Sequence, residues 1–291
     1  MPLYHDNTDP QSGNLIVFYD NADMSTDILT KNFKLFPPYR NKKIKNLMTQ
    51  LTQKTQHPED PAWIDYRNRF AETYDDLNYN GRLKTWAMNA GHKLTEKKFT
   101  QKDFFEKVLE VGAGTGQHLS FIQHQFDQYF LTDLDSKALD LAKNKLANLK
   151  KYEKFKHKII FDIQSGSQLT YPDNSFDRVI ATHILEHILE PHLVLKEWAR
   201  VLKPKGILSI LIPTDPGIAW RLGRHLGPRQ KSINHGIAYD YAMAREHVNS
   251  CHNLIAILNH YFPNAEKSFW PLPIKSIDLN LFVVCHVEIK K

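Results

Sequence analysis

A chain of 291 residues with 42% apolar content can bury one substantial core plus an accessory region, and 15 prolines with 12 glycines exclude low-complexity sequence. Cys251 and Cys285 lack paired spacing and suit a reducing compartment, the opening M-P-L-Y-H-D-N-T-D-P has no basic or apolar leader region, and no apolar run reaches membrane-spanning length, so a cytoplasmic protein without a transmembrane segment is expected. The net charge of +6 admits nucleic acid, an anionic surface or an acidic substrate and does not choose among them.

In chain order, the first 60 residues carry little periodicity: Leu15–Tyr19 reads as a short strand, Ile44–Leu51 as a short helix, and Phe36-Pro37-Pro38-Tyr39 as a proline-stiffened turn. Trp63, Tyr66, Phe70, Tyr74 and Leu77 recur at three- and four-residue steps and predict an amphipathic helix. Leu83, Ala87, Ala90 and Leu94 predict a second.

The chain is organised around Lys107–Gly116, K-V-L-E-V-G-A-G-T-G. Val108, Leu109 and Val111 suit a buried parallel strand. Gly112, Gly114 and Gly116 let the backbone turn and approach a ligand, and His118–Gln125 reads as the helix that follows. The dinucleotide fingerprint G-x-G-x-x-G would put its third glycine at Gln117, where it is missing. Tyr129–Thr132 is a second strand closing on Asp133-Leu134-Asp135, with Ser136 capping a helix to Leu149 and Asp135 a charge favoured by the helix dipole. An acid about 20 residues past the glycines is placed to accept ribose hydrogen bonds, and Asp133 fits that role best. The lysines between Lys143 and Lys158 read as a solvated face. Ile159–Phe161, the run from Phe176 and Ile207–Ile212 are further strands, with a helix to Leu202 between the last two. Tyr241–Tyr261 reads as one helix, and Ser268–Leu272 and Leu279–Ile289 as two closing strands.

The run E-x-G-x-G-x-G from Glu110 to Gly116 resembles motif I of the class I S-adenosylmethionine-dependent methyltransferases. Pro172 to Val179, in the pattern P-x-x-S-F-D-x-V, is similar to the segment introducing the fourth strand in the methyltransferase type 11 family. With L-E-H at Leu185–His187 and R-V-L-K-P-K-G at Arg200–Gly206, the likeness covers roughly residues 105 to 215. The resemblance implies an α/β fold with a doubly wound, Rossmann-like, mostly parallel sheet of seven strands, the last antiparallel. An N-terminal helical extension over 1–100 precedes the methyltransferase domain of 101–291, and an insertion after the fifth strand, 214–245, forms a substrate lid. It also implies S-adenosylmethionine as cofactor and S-adenosylhomocysteine as product, held by Glu110, Gly112, Ala113, Gly114, Gly116, Asp133, Leu134, Asp162, Ile163 and Thr182, with Tyr74 reaching over from the extension. Methyltransferases acting on planar amines carry an Asn-Pro-Pro-Tyr tetrad; Phe36 replaces its Asn here.

His183-Ile184-Leu185-Glu186-His187 also matches H-x-x-E-H, the inverted zinc-peptidase motif, for which Glu246 could be a third ligand. It begins directly at a strand end inside a run the resemblance already explains, so no metal is expected. Methyl transfer needs alignment of donor and acceptor, and a base only where the acceptor loses a proton. His183, at the end of the fourth strand, is the first candidate base, His247 the second and His187 the third. Arg221, Arg224, Arg245 and Asn249 are candidate substrate contacts, with Arg229 and Lys231 completing a basic cluster that reads equally well as a solvated lid. The expected reaction moves a methyl group to O or N of a small or lipid-like acceptor, anionic acceptors included. An RNA or protein methyltransferase is the alternative, with nucleic acid disfavoured, and a non-catalytic cofactor-binding regulator or partner subunit is the alternative of another class.

Overall fold

The computed structural model describes residues 60–66, 82–148, 152–153 and 155–291. The elements expected at Leu15–Tyr19, Phe36–Tyr39 and Ile44–Leu51, and the helix positions Phe70, Tyr74 and Leu77, lie outside the described residues. One compact unit runs from Glu59 to Lys291.

The apolar runs form seven strands: β1 Phe104–Val111, β2 Gln125–Asp133, β3 Ile159–Ile163, β4 Phe176–Thr182, β5 Leu202–Pro213, β6 Glu266–Trp270 and β7 Phe282–Glu288. They make one sheet in the order β3-β2-β1-β4-β5-β7-β6. β1 to β5 pair in parallel, while β7 runs antiparallel to both β5 and β6. This is the expected doubly wound sheet with an antiparallel last strand. Strand order reverses between β1 and β4, so a crevice opens at the carboxyl ends of those two strands.

Side chains alternate between two covered faces, as the period of two requires. On one, Val179, Leu208, Ile210, Val283 and Cys285 pack under α3 (Pro191–Val201) and α7 (Cys251–Tyr261), with Trp198 wholly buried among them. On the other, Leu211, Phe282 and Val284 meet Met88 and Leu94 of α1 (Arg82–Glu96). Farther along that face, Tyr129 and Leu131 pack with Leu146 of α2 (Ser136–Ala147). After β5 the chain builds three short helices, α4 Ile218–Leu226, α5 Pro228–Asn234 and α6 Tyr239–Glu246.

Three local expectations need correction. The helix expected over His118–Gln125 is only a 3-10 turn, His118–Phe121. Glu96 draws His118 into the interior (Nε2 to Oε1, 3.0 Å), and the Gln125 N–H donates to Asp103 O, which starts β2 early. Asp135, not Ser136, caps α2 by accepting from the Lys137 N–H at 2.9 Å. The single helix over Tyr241–Tyr261 is two, α6 and α7, because extended Ser250 caps the second by accepting from the Asn253 N–H.

Candidate active site

The glycine loop leaves β1 with Gly112, Gly114 and Gly116 at φ of 64°, 52° and 70°, the left-handed region that side chains resist. Gly112 lies against Ile184: a Cβ there would sit 2.3 Å from Ile184 Cδ1. At Gly114 a Cβ would meet nothing within 4 Å among the described residues. The Gly114 N–H donates to Asp133 Oδ2 (2.8 Å), and Asp133 Oδ1 accepts from the Asp135 N–H (2.9 Å). The Asp133 carboxylate is therefore fixed at the loop rim. Asp162 at the end of β3 accepts from Tyr171 Oη–H at 2.7 Å and from Gln164 Nε2 at 2.9 Å. Burial and this bond to a carboxylate push the Tyr171 phenol well above its usual range.

Two apolar side chains stand out where β2 and β3 end: Leu134 is 71% exposed and Ile163 58%. Asp133 pairs in register with Ile163, so both flank one crevice rim. Ala113 is buried beneath the loop, and its N–H donates to Thr132 O. Glu110 is buried, with Oε2 accepting from Tyr129 Oη–H at 2.6 Å; burial raises its carboxyl. Thr182 is buried at the end of β4, in register with Leu211.

Beyond β4 the chain turns at His183, whose φ of 56° is left-handed for a residue with a side chain. Its ring packs edge-on against Phe282 and His92, its Nδ1 lies 3.8 Å from Glu186 Oε1, and its buried Nε2 has no hydrogen-bond partner among the described residues. His183 borders a cavity of about 180 Å³. Met88, Trp220 and Phe282 supply apolar wall, and Glu186, His187 and His247 supply polar wall.

These polar groups are mutually held. His247 Nδ1 is 2.8 Å from Asp215 Oδ2, and Arg224 Nη1 donates to the same oxygen at 3.1 Å. Burial opposes the Asp215 charge, but His247 and Arg224 together hold its carboxyl below the usual range. His187 Nδ1 is 2.8 Å from Glu246 O and 3.1 Å from Glu246 Oε2. Burial alone would depress His187, yet the Glu246 and Glu186 carboxylates outweigh it and raise it to about 9. The buried Glu186 carboxyl is held below its usual range against burial by the His183, His187 and His247 imidazoles. Glu186, His187 and His247 each bring one ligand-capable atom into a group spanning no more than 4.8 Å.

The candidate substrate contacts divide. Arg221 is exposed on α4, three residues before Arg224, which holds Asp215 and Tyr239. Arg245 lies 4.1 Å over the Trp63 ring, and Arg229 pairs with Asp240. Asn249 donates from its side chain to Ile188 O and from its backbone to Glu186 O, so it pins the 247–250 turn beside His187. The H-x-x-E-H run is not helical: Leu185–His187 is a 3-10 turn, and the imidazole facing His187 is His247, at 5.0 Å between ring centroids. Asp215 escapes sequence reading because no local pattern marks it. It meets His247 across 32 positions only in the folded chain.

The family model described as a methyltransferase domain matches residues 109–210. Methyltransferase GfsG of Streptomyces halstedii is 30% identical over 126 residues, 42% of this chain and 43% of that protein. The ubiquinone/menaquinone biosynthesis C-methyltransferase UbiE of Haemophilus ducreyi is 32% identical over 115 residues, 38% of this chain and 42% of that one. The matching part thus spans less than half the length of either relative. The N-methyltransferase NodS of Bradyrhizobium japonicum is similar in structure with a TM-score of 0.47 at 14% identity, covering 70% of this chain and 96% of that one. Residues 109–210 thus match a methyltransferase domain, and the strand order reverses at the glycine loop that opens that stretch.

Proposed function

We propose that this chain moves a methyl group from S-adenosylmethionine to O or N of a small or lipid-like acceptor held in the cavity beside His183. The observation that carries the reading is adjacency. Gly112 of the loop touches Ile184, the residue after His183, so the crevice and the cavity share the end of β4.

The residues fit the cofactor. Space at Gly114 among the described residues, carboxylates at Asp133 and Asp162, and exposed Leu134 and Ile163 offer room, acceptors for hydroxyl and amino donors, and apolar cover. When bound, the cofactor supplies an electrophilic methyl group on a sulfonium. The chain then has to orient the acceptor, exclude water and, for a hydroxyl or protonated amine, take up a proton. His183 is suited to taking that proton, because its buried Nε2 has no hydrogen-bond partner among the described residues and the Glu186 charge, 3.8 Å from Nδ1, favours a hydrogen on that side of the ring. Asp215 acts likewise on His247, the second candidate. Arg224 of α4 lines the cavity, with exposed Arg221 on the same helix, and this charge suits an acceptor with an anionic group.

A carbon acceptor is the second reading, favoured by the relative whose name gives a C-methyltransferase. The test is calorimetric titration of S-adenosylhomocysteine into the wild type and Asp133→Ala, followed by an acceptor screen with labelled cofactor. Micromolar binding that weakens about 10- to 150-fold in the variant, the worth of a hydrogen bond to a charged group, supports the cofactor assignment. No binding by folded, cofactor-free wild type overturns it, and the position of the label in the product separates O, N and C acceptors.

A further inference from the structure

We propose that Glu186, His187 and His247 form a binding site for a divalent first-row transition-metal ion of the zinc type, with its remaining coordination position open to the cavity.

Three features point to a ligand at this place rather than to a self-contained polar cluster. The first is the donor set. Two imidazoles and one carboxylate, each with a ligand-capable atom within 4.8 Å of the others, match the three protein ligands of open zinc sites. Bound to one tetrahedral ion the atoms would approach to about 3.3 Å, a contraction that side-chain rotation supplies.

The second is Glu186. It is 2% exposed, yet its Oε2 has no hydrogen-bond partner among the described residues. Both nearby imidazole contacts, to His183 Nδ1 and His187 Nε2, are on Oε1, each at 3.8 Å and too long for a hydrogen bond. A buried carboxylate oxygen without a donor, on a residue that lines the cavity, is costly unless a cation meets it.

The third is the support behind the rings. His247 Nδ1 is held by Asp215, itself held by Arg224, and His187 Nδ1 is held by the carbonyl and carboxylate of Glu246. Each imidazole thus has Nδ1 engaged and Nε2 left over. Metal-ligating histidines are oriented in this way by carboxylates and carbonyls behind them. Asn249 fixes the two segments against each other through Ile188 O and Glu186 O.

The arrangement differs from the H-x-x-E-H peptidase site, because the second histidine ligand comes from the loop after α6 and not from the same helix. What the ion does there rests on the proposed methyl transfer: its open position would hold an acceptor oxygen beside His183 and lower that oxygen's affinity for its proton. Whether the ion binds does not rest on that reading.

The experiment uses the full chain stripped of metal by chelator. Zn²⁺ is titrated calorimetrically, and Co²⁺ is followed by its visible absorption, which is strong only in a four-coordinate site. The wild type is expected to take up one equivalent with the tetrahedral Co²⁺ spectrum. Asp215→Asn should weaken uptake by about 10- to 100-fold, as for other supporting carboxylates, and His247→Ala and Glu186→Gln by more than that. Thermal unfolding of each variant checks that it is folded, and His187→Gln serves where His247→Ala is not. Asp133→Ala should lose S-adenosylhomocysteine binding while keeping Co²⁺, which separates the two assignments. Absence of stoichiometric uptake by the folded wild type overturns the proposal, as does uptake unchanged in the folded ligand variants.

Discussion

Arg178 of β4 and Glu96 at the end of α1 form a two-pronged ion pair with no access to water: Nη1 donates to Oε2 at 3.0 Å and Nη2 to Oε1 at 2.7 Å. Arg178 also lies 3.8 Å over the Phe99 ring and donates from Nε to Ser209. Glu96 accepts from His118 as well, and His118 Nδ1 faces His92 Nδ1 at 3.1 Å. A carboxylate only accepts, so His118 carries its proton on Nε2, and in the neutral ring Nδ1 accepts from His92. This network fastens the helix over the sheet and sets one wall of the cavity, since Ala87 and Met88 of α1 line it. Glu96→Gln or Arg178→Met should each destabilise the fold by about 3–5 kcal/mol, because either leaves a buried charge without its partner. Urea unfolding at neutral pH checks this; a loss below about 1 kcal/mol would contradict it.

Acid should unfold the protein in two stages. Burial, helped by the Arg178 charge, depresses His124 and His286 from 6.5 to about 4. Between those values the unfolded chain binds protons that the folded chain refuses, so stability falls as pH drops from 6.5 toward 4. Burial would raise Glu96, but Arg178 and His118 outweigh it and hold the carboxyl far below its unfolded value of 4.5. Its contribution is complete above that value and is lost as pH falls further. Melting temperature against pH should therefore decline from about 6.5 and steepen below 4.5, and His286→Gln should flatten only the upper stage.

Gly112 and Gly114 should respond differently to alanine. Both are left-handed, which costs roughly 1–2 kcal/mol for a residue with a Cβ. At Gly112 the methyl would also collide with Ile184, so Gly112→Ala should lower stability and disturb His183. At Gly114 it would meet no described atom within 4 Å, so Gly114→Ala should lose only that backbone cost in stability, less than Gly112→Ala loses, and should lose S-adenosylhomocysteine binding. Equal binding by wild type and Gly114→Ala would count against the crevice as the cofactor site.

His183→Asn is the variant that isolates the base. Asparagine tolerates the left-handed backbone, so folding and cofactor affinity should persist. Turnover on an acceptor that must lose a proton should fall by about 10²- to 10⁴-fold. A carbon nucleophile activated without His183 would show a much smaller loss, and the pH dependence of the rate reports which case holds.

Arg245 secures the turn at 61–66 and does not face the cavity. Its guanidinium covers Trp63, which stacks on Tyr66, and Nη1 donates to Tyr241 Oη. Arg245→Ala should cost about 0.5–1 kcal/mol locally, seen as faster amide exchange over 61–66 with little change in global melting.

Local pattern alone determined the sheet and the glycine-loop crevice. Alternating or continuous apolar runs of four to eight residues have one economical fate, burial in a strand, and the spacing of Gly112, Gly114 and Gly116 after β1 is local chemistry. Asp133 and Asp162 follow from strand ends, which a sequence also marks. Helix limits were less legible where a tertiary partner overrode propensity. Glu96 pulling on His118 leaves a 3-10 turn, and Ser250 splits one apparent helix into two. Of the cavity, single residues were legible, with His183, His187, His247 and Arg224 named as candidates, but their contacts with one another were not. His187 and His247 are 60 positions apart by number, Asp215 and His247 are 32 apart, and nothing near any of them announces the others. Their meeting depends on where α6 returns after the excursion that follows β5. Only the packed chain sets that path, because long-range burial of apolar surface chooses it and the polar groups are carried along.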